Sequence, residues 1–65
     1  MEKIIKLNEI ENGNNLLINV VVSQIVTFGQ SYQDHHYSTI RLIGGYIIKV
    51  KQTPAEIEAL IKNLI

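Results

Sequence analysis

Asp34-His35-His36 groups the residue types that bind metals and move protons, and it is the one such cluster in the sequence. Carboxylate and imidazole ligands suit zinc and related ions, but a site needs further ligands. The chain has no cysteine and no third histidine. We therefore expect no metal and no cofactor. Asp and His also collect at hairpin tips, so a solvated loop is the simplest interpretation; contact with a ligand or a partner chain is the alternative.

Ser31 and Ser38 lie close in sequence to this cluster, and a serine beside a histidine is the pattern of nucleophilic catalysis. A hairpin tip cannot hold such groups to the required precision, and no oxyanion hole is recognisable. Gly44-Gly45 has neither the glycine spacing nor the lysine of a phosphate-binding loop. We expect a protein that is not an enzyme, with no catalytic residues.

Gly44-Gly45 predicts a hairpin, and cationic side chains lie on both of its strands. A three-residue loop that ends in a bulge is the predicted turn. It pairs Ile43 with Ile47, Arg41 with Lys49, and Thr39 with Lys51. One face is then wholly apolar and is predicted to lie under the helix; it comprises Ile40, Leu42, Ile48 and Val50.

Arg41 opposite Lys49 is a pair of like charges, which is mildly destabilising. Three outcomes are open: both side chains extend into solvent, a carboxylate neutralises them (Glu9, Glu11 or Asp34), or an anion binds. For the last case, the predicted ligand-binding residues are Thr39, Arg41, Lys49 and Lys51, with Tyr32, His36 and Tyr37 from the loop. The tyrosine rings offer faces for stacking.

Alternating and helical patterns predict the elements that carry these residues. Strands are expected over residues 3–10, 16–22, 25–29, 38–43 and 46–51, with a turn over 12–15 and an exposed tip over 31–37. Ile5 and Leu7 are expected on one face of the first strand. Residues 16–22 are expected to be buried on both sides or to lie at a subunit contact. Residues 19–24 fit a continuous strand, a bend or one helical turn.

A helix over about 54–64 has clear boundary signals. Thr53 is the predicted N-cap, Pro54 the first helical residue and Glu56 the partner in a capping box. Ile57, Leu60, Ile61 and Leu64 recur at helical spacing and predict one buried face. Glu58 and Lys62 are expected to pair on the exposed side. The predicted fold is α+β: a small antiparallel β-meander of four or five strands with one C-terminal amphipathic helix.

Composition indicates a single small domain, residues 1–65, that associates with itself. Isoleucine, leucine and valine make up 23 of the 65 residues, more than so small a fold is expected to bury alone. We therefore expect a homo-oligomer. Net charge is zero, so nucleic acid is not an expected partner. Neither a signal peptide nor a bilayer-spanning segment is recognised, and a soluble, cytoplasmic protein without membrane partners is expected.

The chain resembles the small FlbD-like proteins, which include a flagellar group and short bacterial and phage proteins. The resemblance lies in Ile5-Lys6-Leu7-Asn8, Leu17-Ile18-Asn19-Val20, Ile40-Arg41-Leu42-Ile43-Gly44-Gly45, Ile48-Lys49-Val50-Lys51 and Thr53-Pro54-Ala55-Glu56-Ile57. It implies a small fold of this kind and contributes no catalytic residues. The stretch from Asn19 to Ile40 is longer here than in that pattern.

The leading functional hypothesis is a non-enzymatic, homo-oligomeric binding module of a phage or mobile element. It would sequester a small anionic ligand, such as a nucleotide signal, in pockets between subunits. The first alternative is a protein–protein adaptor or regulatory subunit, as the FlbD-like resemblance implies, which would dock a partner through residues 20–22 or a sheet edge. A further alternative is an RNA-binding β-oligomer.

Overall fold

A computed structural model describes residues 2–32 and 36–64 of the protein. It confirms the predicted α+β fold, a five-stranded antiparallel sheet with one C-terminal helix. The strands are β1 (Ile4–Glu11), β2 (Asn14–Val21), β3 (Ile25–Gln30), β4 (Ser38–Leu42) and β5 (Ile47–Val50). A 3-10 turn, Val22–Gln24, follows β2, and the helix α1 is Pro54–Lys62.

The sheet is strongly curved, as its strand order β2-β1-β5-β4-β3 requires. Consecutive strands β2 and β3 form opposite edges, yet only the turn Val22–Gln24 joins them. Edges of a flat five-stranded sheet would lie about 19 Å apart, whereas three residues of 3-10 helix advance only about 6 Å. The sheet therefore curls so that its two edges approach each other. The sequence left a continuous strand, a bend or one helical turn as alternatives for residues 19–24, and the short helical turn is the one observed.

The hairpin between β1 and β2 turns at Asn12-Gly13, as predicted. Asn12 has φ 51° and Gly13 has φ 79°, the two left-handed residues of a type I′ turn. Pairing runs from Glu11 opposite Asn14 to Ile4 opposite Val21. Ile5 and Leu7 are buried on one face, which confirms the predicted alternation of β1.

The predicted register of the β4–β5 hairpin is wrong by two residues. Arg41 lies opposite Ile47, and Thr39 lies opposite Lys49. Gly44 and Gly45 both adopt positive φ, 92° and 86°, so both belong to the loop, which starts at Ile43 rather than at Gly44. The Gly45 N–H donates to the Leu42 carbonyl at 3.2 Å, and with positive φ at the preceding glycine this is the signature of a type II turn.

A shift of two residues leaves every side chain on its predicted face, because faces exchange only with odd shifts. Ile40 and Val50 are fully buried as expected, and Leu42 and Ile48 pack against the core. What changes is the set of neighbours on the outer side. Arg41 and Lys49 are diagonal neighbours rather than a directly opposed pair.

The helix α1 closes the core. Ile57 is fully buried, and Leu60, Ile61 and Leu64 pack against the same cluster, which confirms the predicted apolar stripe. Among residues 2–32 and 36–64, the buried core side chains are Ile5, Leu7, Val20, Ile40, Val50 and Ile57. Within residues 2–32 and 36–64, no helix is long and apolar enough to cross a bilayer.

The predicted capping box at the N-terminus of the helix and the predicted Glu58–Lys62 pair are both confirmed. The Glu56 N–H donates to Thr53 Oγ1 at 3.2 Å, and the Thr53 N–H donates to Glu56 Oε1 at 2.9 Å. This is the reciprocal capping box. Lys62 Nζ lies 2.9 Å from Glu58 Oε1 on the exposed side.

The expectation that residues 16–22 are buried on both sides is wrong for the single chain. Leu16 is 45% exposed and Leu17 is 68% exposed. The reason is the position of β2 at the edge of the sheet, where a neighbouring strand lies on one side only. The other expectation for this run, a subunit contact, stays a prediction.

Candidate functional site

The outer face of β3, β4 and β5 carries most of the predicted ligand-binding residues. Strand alternation sends Ile40 and Val50 into the core, so Thr39, Arg41 and Lys49 point away from it. Arg41 is exposed, and Thr39 and Lys49 are half-buried. We call the surface formed by Thr27, Gly29, Thr39, Arg41, Ile47 and Lys49 the outer face.

A gap in this face is made by Gly29. It lies opposite Thr39 in the β3–β4 pairing, and a Cβ atom built there would meet nothing within 4 Å. Two shallow depressions adjoin at this point, and Tyr32 and Thr39 line both of them. Lys49 lines the first depression and Arg41 lines the second. Thr39 therefore stands between the two cationic side chains.

Aromatic rings border the cations. Lys49 Nζ lies 5.3 Å from the centroid of the Tyr37 ring, a cation–π contact that is worth about 0.5–1 kcal/mol at an exposed site. Tyr32 is fully exposed, at 102% of its reference surface. One ring thus restrains the ammonium group, and the other leaves both faces open to a planar ligand.

The positive charge of the outer face is not neutralised by the described part of the chain. Among residues 2–32 and 36–64, no carboxylate forms an ion pair with Arg41 or Lys49. Glu9 lies opposite Val50, so it shares the face of Val50 and not that of Lys49. Asp34, another candidate neutralising group, lies outside the described residues. The face can therefore attract an anion.

The structure separates Lys51 from this group. Lys51 lines a different depression with Asn8, Gln52 and Glu56. His36 is exposed and lies between the undescribed residues 33–35 and Tyr37. The predicted set thus divides: Tyr32, Tyr37, Thr39, Arg41 and Lys49 come together, and Lys51 does not. Asp34 and His35, the other two residues of the Asp34-His35-His36 cluster, lie outside the described residues.

Sequence reasoning missed the contribution of Thr27 and Gly29 to this face. The predicted hairpin tip over residues 31–37 implied that β3 pairs with β4, but not the register that sets Thr27 opposite Arg41 and Gly29 opposite Thr39. Ser31 was expected in an exposed tip, and this is wrong: it is only 7% exposed. Its N–H donates to the Tyr37 carbonyl at 3.0 Å, which closes the base of the loop and brings Ser31 against the sheet.

Two serine hydroxyls of the chain have structural partners. Ser38 is fully buried, and its Oγ donates to the Gln52 carbonyl at 2.6 Å. Ser23 Oγ donates to Glu2 Oε2 at 3.0 Å on the surface. Neither serine belongs to the outer face, which presents cationic groups and aromatic rings.

Comparison with known proteins finds no relative: no protein-family model, no curated protein and no solved structure matches the chain. The FlbD-like resemblance consequently stays a prediction from the sequence motifs.

Proposed function

We propose that this protein is a non-enzymatic, homo-oligomeric module that binds a small anionic ligand, such as a nucleotide, on the outer face. The observation that carries the proposal is the arrangement around Thr39. Cationic Arg41 and Lys49 line depressions on either side of it, and no described carboxylate pairs with them.

Each group has a distinct role in this proposal. Arg41 presents a planar fork of donors that matches a phosphate in two-point contact. Lys49 adds a point charge that its contact with Tyr37 restrains. The Thr39 hydroxyl can donate to an oxygen lying between them.

The base of a nucleotide would stack on Tyr32. A base–aromatic stack is worth about 1–3 kcal/mol, and the ring of Tyr32 is fully exposed. The gap at Gly29 allows the ligand to approach the strand backbone. Stacking of the base on Tyr32 would add to the phosphate contacts of Arg41 and Lys49. A nucleotide would therefore bind more tightly than a simple inorganic anion.

Retention rather than turnover is the proposed activity. The recognition groups lie on open depressions of one chain, so a second copy would enclose the ligand further and increase its residence time. A phage or mobile-element protein of this kind would lower the free concentration of a nucleotide signal. Repeated small subunits suit that role because each copy supplies a complete set of Arg41, Lys49 and Tyr32.

Isothermal titration calorimetry with ribonucleoside triphosphates and with inorganic phosphate tests the proposal. Wild-type protein is expected to release or absorb heat with at least one nucleotide. Arg41→Ala is expected to weaken binding roughly 10- to 100-fold, since loss of a charge-assisted contact costs about 1.5–3 kcal/mol. Lys49→Ala should act in the same direction.

Lys3→Ala is the matched control, because it removes one positive charge from an exposed position before β1. It should leave the dissociation constant unchanged. Absence of heat with every nucleotide, or equal affinity for wild type and Arg41→Ala, would refute the assignment of the outer face.

A further inference from the structure

Half of the backbone groups of β2 face an open edge. The Val22 N–H donates to the Lys3 carbonyl at 2.9 Å, in register with the pairing of β1 and β2. Hydrogen-bonded pairs alternate along an antiparallel ladder, so the even-numbered residues of β2 bond to β1. The N–H and C=O groups of the odd-numbered residues Asn15, Leu17 and Asn19 point away from the sheet.

This edge lacks the features that usually protect an edge strand. Its eight residues, NNLLINVV, include no charged side chain and no proline. Charges, prolines and bulges are the common means of preventing strand addition. The opposite edge, β3, has such a feature, since its pairing with β4 shifts register between Ile25 and Thr27. Only β2 is therefore suited to accept another strand along its length.

Two leucine side chains of β2 are exposed, one on each face of the strand. Leu16 follows the alternation of Ile18 and Val20 toward the core side but is 45% exposed. Leu17 on the other side is 68% exposed. An apolar groove adjoins the strand on the core side, lined mainly by Ile18, Val20, Leu42, Ile43 and Ile48. Strand and groove together form a surface that the single chain does not cover.

We propose that a second copy of this chain pairs with β2 through its own β2, antiparallel, across a two-fold axis at Leu17. A two-fold interface places the same surface on both sides, so that surface must be complementary to itself. Because β2 carries no charge, two copies of it can pair without placing like charges opposite each other. Hydrogen bonds form across the new pair only if each residue whose backbone N–H and C=O face the edge lies opposite another such residue. An axis at Leu17 or at Ile18 satisfies this rule and keeps most of the strand paired.

The side chains select between these two axes. With the axis at Leu17, this residue meets its own copy and Asn15 meets Asn19, so apolar groups and amides pair separately. With the axis at Ile18, Leu17 would meet Asn19 and leave the amide opposite an apolar chain. The first register also places Leu16 of each copy opposite Ile18 of the other, next to the apolar groove. Each copy thus covers the exposed leucines of its partner.

Cysteine cross-linking tests the register directly, because the chain has no cysteine of its own. In the proposed pair the two Leu17 Cα atoms lie about 5.5 Å apart, within the disulfide range of about 4.4–6.8 Å. Under mild oxidation Leu17→Cys is expected to give a covalent dimer. With the axis at Ile18 the distance is roughly 9 Å, and cross-linking would be poor. Val26→Cys, at 56% exposure on the opposite edge, is the control and should not cross-link.

Sedimentation of the unmodified protein over a wide range of concentrations tests the surface itself. Wild type is expected to form a dimer, Leu17→Lys a monomer, and Val26→Lys a dimer. Circular dichroism should show that both lysine variants are folded, since both positions are exposed in the single chain. A monomeric wild type would overturn the proposal, and so would a dimer that Leu17→Lys leaves intact. A monomeric wild type would also contradict the homo-oligomeric part of the proposed function. Ligand binding at the outer face is distinct from the β2 edge and keeps its own test by calorimetry.

Discussion

Asn8 and Gln52 lie 44 residues apart in the chain and are joined by two hydrogen bonds. The Asn8 N–H donates to Gln52 Oε1 at 2.9 Å, and Gln52 Nε2 donates to Asn8 Oδ1 at 2.7 Å. The register of β1 with β5 includes the single pair Glu9 with Val50. Gln52 therefore reinforces a short junction between the two halves of the sheet.

Replacement of Gln52 by alanine is expected to destabilise the protein by about 1–3 kcal/mol, because two partly buried polar groups of Asn8 lose their partner. Urea denaturation measures this difference. Gln24→Ala is the matched control, since its side chain is exposed in the 3-10 turn, and should change the midpoint little. Equal midpoints for the two variants would show that the junction does not depend on this side chain.

Ile57→Ala is expected to lower the free energy of unfolding by about 2–5 kcal/mol, the usual range for truncation of a fully buried aliphatic side chain. A domain of this size has a total stability of only about 3–10 kcal/mol. The variant should therefore lose a large fraction of its stability and melt at a markedly lower temperature than wild type, as thermal melting followed by circular dichroism would show. Ile61→Ala, at a half-buried position of the same helix, should melt at an intermediate temperature. A native melting temperature for Ile57→Ala would contradict the central position of the helix.

The capping box gives a specific dependence of stability on pH. The hydrogen bond from the Thr53 backbone N–H holds the pKa of Glu56 below its usual value of 4.5. As the pH falls, the unfolded chain takes up this proton first. The contribution of Glu56 is therefore complete above pH 4.5 and is lost as the pH falls through the lowered pKa.

Glu56→Gln isolates this effect, because the amide oxygen can still accept from Thr53 but does not titrate. Glu58 also has a lowered pKa, through its hydrogen bond to Lys62, and is present in both proteins. The difference in unfolding free energy between wild type and Glu56→Gln should shrink as the solution is acidified below pH 4.5. A constant difference across that range would argue against the cap as its source.

Gly29→Val separates folding from ligand binding. Gly29 is not at positive φ, and a Cβ there meets nothing within 4 Å. A β-branched residue in this strand should therefore keep or raise stability, by about 0.5–1 kcal/mol at most. It would fill the depression between Thr39 and Arg41 and weaken nucleotide binding by calorimetry. Unchanged affinity in a folded Gly29→Val protein would place the ligand elsewhere.

Local signals in the sequence were sufficient for much of the fold. The Asn12-Gly13 turn, the two-residue alternation of β4 and β5, and the capping box at Thr53 each depend on residues close together in the chain. Steric and hydrogen-bonding preferences over a few residues determine such features. Arg41 and Lys49 could for that reason be assigned to one face before their pairing was known.

Tertiary structure decided what depends on distant segments. Pairing of β3 with β4 brings Gly29 beside Thr39, and the loop base at Ser31 brings Tyr32 to the same face. The predicted and observed registers of the Gly44-Gly45 hairpin differ by two residues. Both registers bury the same side chains, so the apolar pattern cannot distinguish them. The conformations of the two glycines, within the packed sheet, made that choice. The sequence by itself thus determined which residues face outward, and the packing of non-local strands determined which of them meet.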